Sequence, residues 1–362
     1  MSSPTPKPGI LDISPYVGGE SEITGVDRVI KLASNEGALG PSPKAMEAYA
    51  REAETLHRYP DGSASKLRKA LAAAYGLDAD RIVCGSGSDE LLDMLARAYA
   101  GPGDEVMYTE HGFLMYPISA KSVGATPVPV AEKNLYADVD ALIERAGKET
   151  KILFLANPNN PTGTYLPDTE MRRLREGLPD HVLLVIDAAY AEYVSRNDYA
   201  AGSQLVDEYD NVVMTRTFSK IFALGSVRLG WAYCPKAIAD VLNRLRGPFN
   251  VTSPAMAAGL AALGDVAFTD EVRAYTATWF DWTKEQLIGL GLDVPSQVGN
   301  FLLVRFPATG KSAEEVDAFL KTRGLIVRRM AGYGLPDCLR ITIGREDEMR
   351  SLVDALKEAL DQ

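Results

Sequence analysis

Cysteine is scarce in this chain. The three residues among 362, Cys84, Cys234 and Cys338, lie far apart and show no Cys-x-x-Cys spacing, so neither a disulfide framework nor a structural zinc site is expected. Histidine is equally thin: His57, His111 and His181 are scattered, without the spacing of a metal-ligand set. No apolar run approaches the roughly 20 residues that a membrane span needs. The opening Met1-Ser-Ser-Pro-Thr-Pro-Lys-Pro lacks the apolar stretch of a secretory signal and reads as a flexible arm. Positive charge is in deficit as well. With 38 Lys and Arg against 49 Asp and Glu, the net charge is −11, which argues against a nucleic-acid or anionic-membrane partner, since both need a basic face. A reducing cytoplasm is the expected location.

Hydrophobic residues make up 46% of the chain and charged residues 24%, as in an ordinary soluble protein. The length exceeds what one core usually supports, so two domains are expected. Short apolar strands alternate with helical segments from about residue 44 to 250. The pattern predicts strands over Arg81–Cys84, Glu105–Thr109, Thr126–Val130, Lys151–Ala156, Val182–Ile186, Asn211–Thr215 and Leu229–Cys234. It places helices over Lys44–Ala53, Ser65–Tyr75 and Ser88–Tyr99. Such alternation argues for an α/β fold, a mostly parallel sheet covered by helices on both faces. Ligands of such sheets bind beyond the carboxyl ends of the strands. Further on, Ser253-Pro254 reads as a helix start with serine as cap, followed by a long helix over about Val266–Leu290. The remainder is a compact α+β unit. It has strands Asn300–Phe306, Leu325–Arg329 and Cys338–Ile343, a helix opened by the capping-box spacing Ser312-Ala-Glu-Glu315 and ending near Gly324, and a final helix Arg345–Leu360.

Chemistry gathers just past the strands. Asp187 ends one apolar strand, Tyr190 follows three residues later, and Lys220 lies in Thr217-Phe-Ser219-Lys220 after the next, with Arg228 eight residues on. An amine for an aldehyde, a cation for a phosphate and an acid for a ring nitrogen are together what a pyridoxal 5′-phosphate site needs. Lys220 would hold the cofactor and then shuttle the donor's Cα proton, a task arginine cannot perform because it stays charged. Taken alone, a Ser-Lys pair is usually a solvated lysine. Asp187 favours the protonated ring, although a strand-end aspartate can also merely cap a turn. Tyr190 could hydrogen-bond the cofactor's 3′-oxygen or be an ordinary half-buried tyrosine. Asn157-Pro-Asn-Asn160-Pro-Thr-Gly163 reads either as a rigid turn or as a strand-end segment in which Asn160 offers an amide to the same oxygen. Gly85-Ser-Gly87-Ser88-Asp89-Glu90 would bring backbone amides at a helix start to the phosphate, a weak signal by itself. Thr217, Ser219 and Arg228 would complete the phosphate cup.

These motifs occur in an order that resembles the fold-type I pyridoxal-phosphate aminotransferases, and most closely their histidinol-phosphate branch. The ordered series runs Pro15-Tyr16-Val-Gly, Arg58-Tyr59-Pro60-Asp61, Gly85–Glu90, Asn159–Gly163, Asp187-Ala-Ala-Tyr190, Thr217–Lys220, Arg228-Leu-Gly and Leu339-Arg340-Ile-Thr-Ile-Gly344, nearly the whole chain. The resemblance implies a seven-stranded large domain over 45–260, a small α+β domain over 261–362, and an arm over 1–44 that joins the small domain. It implies that Arg340 grips the substrate's α-carboxylate or its counterpart in an amino alcohol phosphate, that Tyr16 and Arg328 serve the histidinol phosphate group, and that Phe113 stacks on the cofactor ring. It further implies a homodimer with shared active sites, Tyr59 reaching the partner's cofactor phosphate. The expected reaction is transfer of the amino group from L-histidinol phosphate to 2-oxoglutarate, a step of histidine biosynthesis. No metal is expected.

The chain also departs from the family pattern. Asn35-Glu36-Gly37-Ala38 replaces an Asn-Glu-Asn-Pro segment, Glu110-His-Gly-Phe113-Leu-Met-Tyr116 gives a stacking ring without a hydroxyl, and Ala223-Leu-Gly-Ser-Val227 is altered. An aromatic amino-acid aminotransferase is therefore a rival reading. A phospho-amino-acid decarboxylase and a non-catalytic cofactor-binding regulator are more distant ones.

Overall fold

The computed structural model describes residues 4–16, 18–26, 28–307 and 310–361. Met1 to Ser3 of the opening arm and Val17 of the Pro15–Gly18 motif lie outside the described residues.

The strand Leu183–Asp187 is buried along its whole length, as expected of a run rich in branched apolar residues with helices on both faces. Alternate residues serve opposite sides: Leu184 and Ile186 join one core, Leu183 and Val185 another. This strand is central in a seven-stranded sheet, in agreement with the expected α/β fold. The spatial order is Ile82–Gly85, Gly230–Tyr233, Val212–Thr217, Leu183–Asp187, Thr150–Ala156, Glu105–Thr109, Thr126–Val130. All neighbours run parallel except Gly230–Tyr233, which is antiparallel to both of its own. The register sets Ala156, Asp187 and Thr215 side by side, and Gly230 between Thr217 and Gly85. The chemistry-bearing residues thus share one edge of the sheet.

A second core forms around a three-stranded antiparallel sheet, with Cys338–Thr342 between Phe301–Arg305 and Arg328–Arg329. Leu302, Val304, Leu339 and Ile341 pack there against Trp279, Phe280, Leu352 and Leu356. Ile30 and Leu32 of the N-terminal segment belong to the same core, because Ile30–Lys31 adds a parallel strand beside Leu325–Ile326.

Two local expectations are corrected. Leu325–Arg329 is not one strand: Leu325–Ile326 pairs with the N-terminal segment and Arg328–Arg329 with Cys338–Thr342. Serving two sheets requires the chain to break between them. The cap of the helix Ser253–Gly264 is Thr252 rather than Ser253, since Thr252 is extended and its hydroxyl accepts from the Ala255 amide. Pro254 then falls within the first turn, where its missing N–H costs nothing. The Ser312–Glu315 capping box forms as read, and the long helix spans Val266–Gly289.

Candidate active site

A cavity of about 370 Å³ opens at the carboxyl edge of the large sheet. Its lining includes Asp187, Tyr190, Asn160, Lys220, Thr217, Ser219, Arg228, Ser88, Asp89, Phe113, Tyr16, Arg328 and Arg340, so residues far apart in sequence converge as expected. Tyr59 does not line the cavity of its own chain. It is 83% exposed and stacks on Phe249 with ring centroids 4.7 Å apart.

Asp187 is the last residue of its strand, and burial pushes its carboxyl up to about 6. Tyr116 donates to its Oδ2 at 2.9 Å and Thr215 to its Oδ1 at 3.4 Å, both opposing that rise. Tyr116 is fixed in turn, stacked on Phe154 at 5.1 Å and meeting Phe113 edge-on at 5.9 Å. Lys220 lies three residues past its strand. Burial first, then the nearby Arg340, lowers its amine to about 8. Its Nζ donates to the Ser34 carbonyl at 3.5 Å and sits 5.6 Å from the Tyr190 ring centre. The Tyr190 phenol, pushed up to about 12 by burial, accepts from Asn35 Nδ2 at 2.8 Å. That acceptance leaves its own O–H for a bond into the cavity.

At the other end, the helix Ser88–Tyr99 points its N-terminus into the cavity behind Gly87. Gly87 has φ 86°, and a Cβ there would lie 2.3 Å from Arg228 Nη2. A side chain on Gly230 would strike the Ser88 amide nitrogen at 2.4 Å. Gly230 is required by close backbone approach and Gly87 by its positive φ. Arg228 takes a left-handed φ of 56° and donates to the Gly225 carbonyl at 3.0 Å and to Asp89 Oδ2 at 3.2 Å. The Asp89 carboxylate is therefore directed to Arg228, so what Asp89 can offer an anion is its backbone amide. Ser219 N donates to Thr217 Oγ1, and the two hydroxyls are 3.0 Å apart.

The opposite wall comes from the N-terminal segment and the small domain. Arg340 is buried and donates to Asn160 Oδ1 at 2.5 Å and to the Ala33 carbonyl at 2.7 Å. Asn160 thus spends its carbonyl on Arg340, and its NH2 is what it can offer to the cavity. The peptide bonds Asn157–Pro158 and Asn160–Pro161 are both cis.

The whole chain has known relatives. Residues 27–356 match the family Aminotransferase class I and II. The chain belongs to that family. It is 63% identical over 359 residues to the histidinol-phosphate aminotransferase of Paramagnetospirillum magneticum, covering 99% of each chain. It is 58% identical over 360 residues to that of Rhodospirillum centenum, again at 99% of each. Among solved structures, the histidinol-phosphate aminotransferase of Sinorhizobium meliloti in complex with pyridoxal-5′-phosphate superimposes with a TM-score of 0.88 at 27% identity, over 97% of this chain and 96% of that one.

The cavity of this aminotransferase fits pyridoxal phosphate on structural grounds. Asp187 is a carboxylate raised by burial, and a protonated ring nitrogen would give it a charged partner. Gly87 and Gly230 clear the backbone around a helix N-terminus beside Arg228, as an anionic phosphate requires. The Lys220 amine is held where a neutral fraction exists near neutral pH.

Several residues of the site were not singled out from sequence. Tyr116 was visible only as the end of the Phe113 segment, Asn35 only as an altered loop, and Ser34 and Tyr333 not at all. Their places depend on contacts with distant segments, for which local spacing carries no signal.

Proposed function

We propose that this chain transfers the amino group of L-histidinol phosphate to 2-oxoglutarate with pyridoxal 5′-phosphate as cofactor, yielding imidazole acetol phosphate and L-glutamate in histidine biosynthesis. One observation carries the donor assignment: the guanidinium groups of Arg340 and Arg328 share a single cavity with Lys220. Two cations suit a donor bearing a phosphate, and they also suit a dicarboxylate acceptor that must use the same pocket in turn.

Bound pyridoxal phosphate supplies an electron sink for the electron pair left when the donor's Cα proton departs. Lys220 takes that proton from Cα and returns it on the other side of the transfer. Its lowered value keeps a usable neutral fraction near pH 8. Asp187 accepts the ring nitrogen's N–H, and Tyr116 and Thr215 hold its carboxylate in place. Tyr190, positioned by Asn35, and the Asn160 amide hold the 3′-oxygen. Phe113, which lines the cavity, would pack on the ring face. The Ser88 and Asp89 amides, Thr217, Ser219 and Arg228 hold the phosphate, with Gly87 giving clearance. Arg340, fixed by Asn160 and Ala33, grips the substrate's anionic group, while Tyr16 and Arg328 close its side.

On this reading the chain comprises an arm over 1–44, a large domain over 45–260 and a small domain over 261–362. The arm's Ile30–Lys31 strand supports its attachment to the small domain. Packing of Ala262 and Val272 with the large core supports a second boundary later in the chain, past Val272. A homodimer with shared sites is supported by the exposed Tyr59–Phe249 pair, an aromatic surface that a second copy would cover and that would bring Tyr59 to the partner's cofactor phosphate. No described helix is long and apolar enough to cross a membrane, and the cytoplasm is the proposed location.

Mixing the yellow cofactor-bound protein with L-histidinol phosphate, and separately with L-phenylalanine, tests the donor in a single half-reaction. Conversion of the cofactor spectrum at lower concentrations of histidinol phosphate is expected. Faster conversion by phenylalanine would make the protein an aromatic aminotransferase.

A further inference from the structure

Tyr333 lies in the short 3-10 turn Ala331–Tyr333, between the strand Arg328–Arg329 and Gly334, whose left-handed φ of 76° ends the turn. It is 6% exposed, and what it does expose lines the cavity. Arg340, Arg328, Tyr16 and Tyr190 line the same cavity. Its backbone carbonyl faces His111 Nδ1 at 2.7 Å. A carbonyl only accepts, so Nδ1 carries the proton. His111 is itself buried, two residues before Phe113, and its amide donates to Glu132 Oε1 at 3.2 Å. One hydrogen bond therefore ties the loop bearing the candidate stacking ring on the large domain to the loop bearing Tyr333 on the small one.

We propose that Tyr333 contacts the substrate's anionic group beside Arg340 and determines donor specificity, and that His111 is the positioning residue that holds it there. The inference rests on the substrate reading of the Arg340 side of the cavity. A carboxylate offers two oxygens, which one guanidinium fork can occupy. A phosphate has a third, and the Tyr333 hydroxyl is a donor for it. Phosphate-bearing donors therefore depend on Tyr333 more than carboxylates do.

The test measures kcat and KM of the holoenzyme with histidinol phosphate, phenylalanine and glutamate, for the wild type, Tyr333→Phe, His111→Leu and His111→Asn. Tyr333→Phe is expected to raise the KM for histidinol phosphate by roughly tenfold or more, the worth of a hydrogen bond to a charged group. Smaller rises are expected for the two amino acids, with kcat nearly unchanged. His111→Leu should act in the same direction and speed amide exchange at Tyr333 to Leu335. His111→Asn, whose amide can take the place of Nδ1, should restore both. Unchanged KM values for every donor in Tyr333→Phe would overturn the inference. So would a His111→Leu protein that loses kcat alone, or that His111→Asn fails to rescue. A wild type that prefers phenylalanine would instead sink the histidinol phosphate assignment, with the Tyr333 inference still decided by its own KM values.

Discussion

The two sides of the cavity are built differently. The side proposed to hold the cofactor stands on one sheet: Asp187 ends a strand, Thr217 ends its neighbour, and Lys220 follows three residues later. The side proposed to take the substrate is assembled from Tyr16, the Ala33–Glu36 segment, Arg328 and Arg340, joined by bonds that span most of the chain, such as Arg340 to Ala33 and Asn35 to Thr342. A sheet edge with fixed register supplies the preorganised polar groups that proton transfer needs. The wall made by a second domain and a terminal segment touches that edge at a few points, Asn35 at Tyr190, Ser34 at Lys220 and Arg340 at Asn160. On the proposed roles, chemistry and donor choice are separable except at those contacts.

Replacing residues on the cofactor side should damage turnover and leave donor preference alone. The largest effect is expected from Lys220→Ala, which removes the proton carrier and should cost at least about 10² to 10⁴ in rate, along with the visible absorbance of the attached cofactor. Retained transamination would overturn the assignment. Asp187→Asn comes next, with a loss of about 10- to 10²-fold in turnover from a missing charged hydrogen bond.

The same substitution should change stability with the opposite sign when the cofactor is removed. Burial raises Asp187 from 3.8 to about 6, which corresponds to about 3 kcal/mol against the charged form. Because the folded value lies above the unfolded one, the penalty is absent below pH 3.8, grows between 3.8 and 6, and is complete above 6. Cofactor-free Asp187→Asn should therefore melt higher than the cofactor-free wild type at pH 8 and no higher near pH 3.5. The smallest effect is expected from Tyr116→Phe. Losing a bond that lowers the Asp187 value should move the acid limb of cofactor uptake to higher pH, with only a few-fold loss at pH 8. A limb that stays put or moves down would show that Tyr116 does not tune Asp187.

The same contrast governs what could be read from sequence. Strand-end residues were legible because apolar runs such as Leu183–Ile186 mark strands, and polar residues immediately after them fall on the ligand-binding edge. The helix Met115–Ser122 was not, since Pro117 and a mixed pattern hide its periodicity, and the role of Tyr116 was hidden with it. On the wall, Arg340 and Arg328 were found only through family resemblance. The bonds that orient them come from Ala33, Asn35 and Asn160, which no local period connects. The split of Leu325–Arg329 between two sheets was equally invisible, because it depends on where Ile30–Lys31 docks.

The most direct test of the division compares Arg228→Ala with Arg340→Ala, measuring cofactor dissociation and the KM for histidinol phosphate in each. Arg228→Ala is predicted to weaken cofactor retention by roughly tenfold or more while leaving donor preference intact. Arg340→Ala is predicted to raise the donor KM by a similar factor with the cofactor held normally. An Arg228→Ala protein that keeps its cofactor but switches donors, or an Arg340→Ala protein that mainly loses its cofactor, would contradict the account.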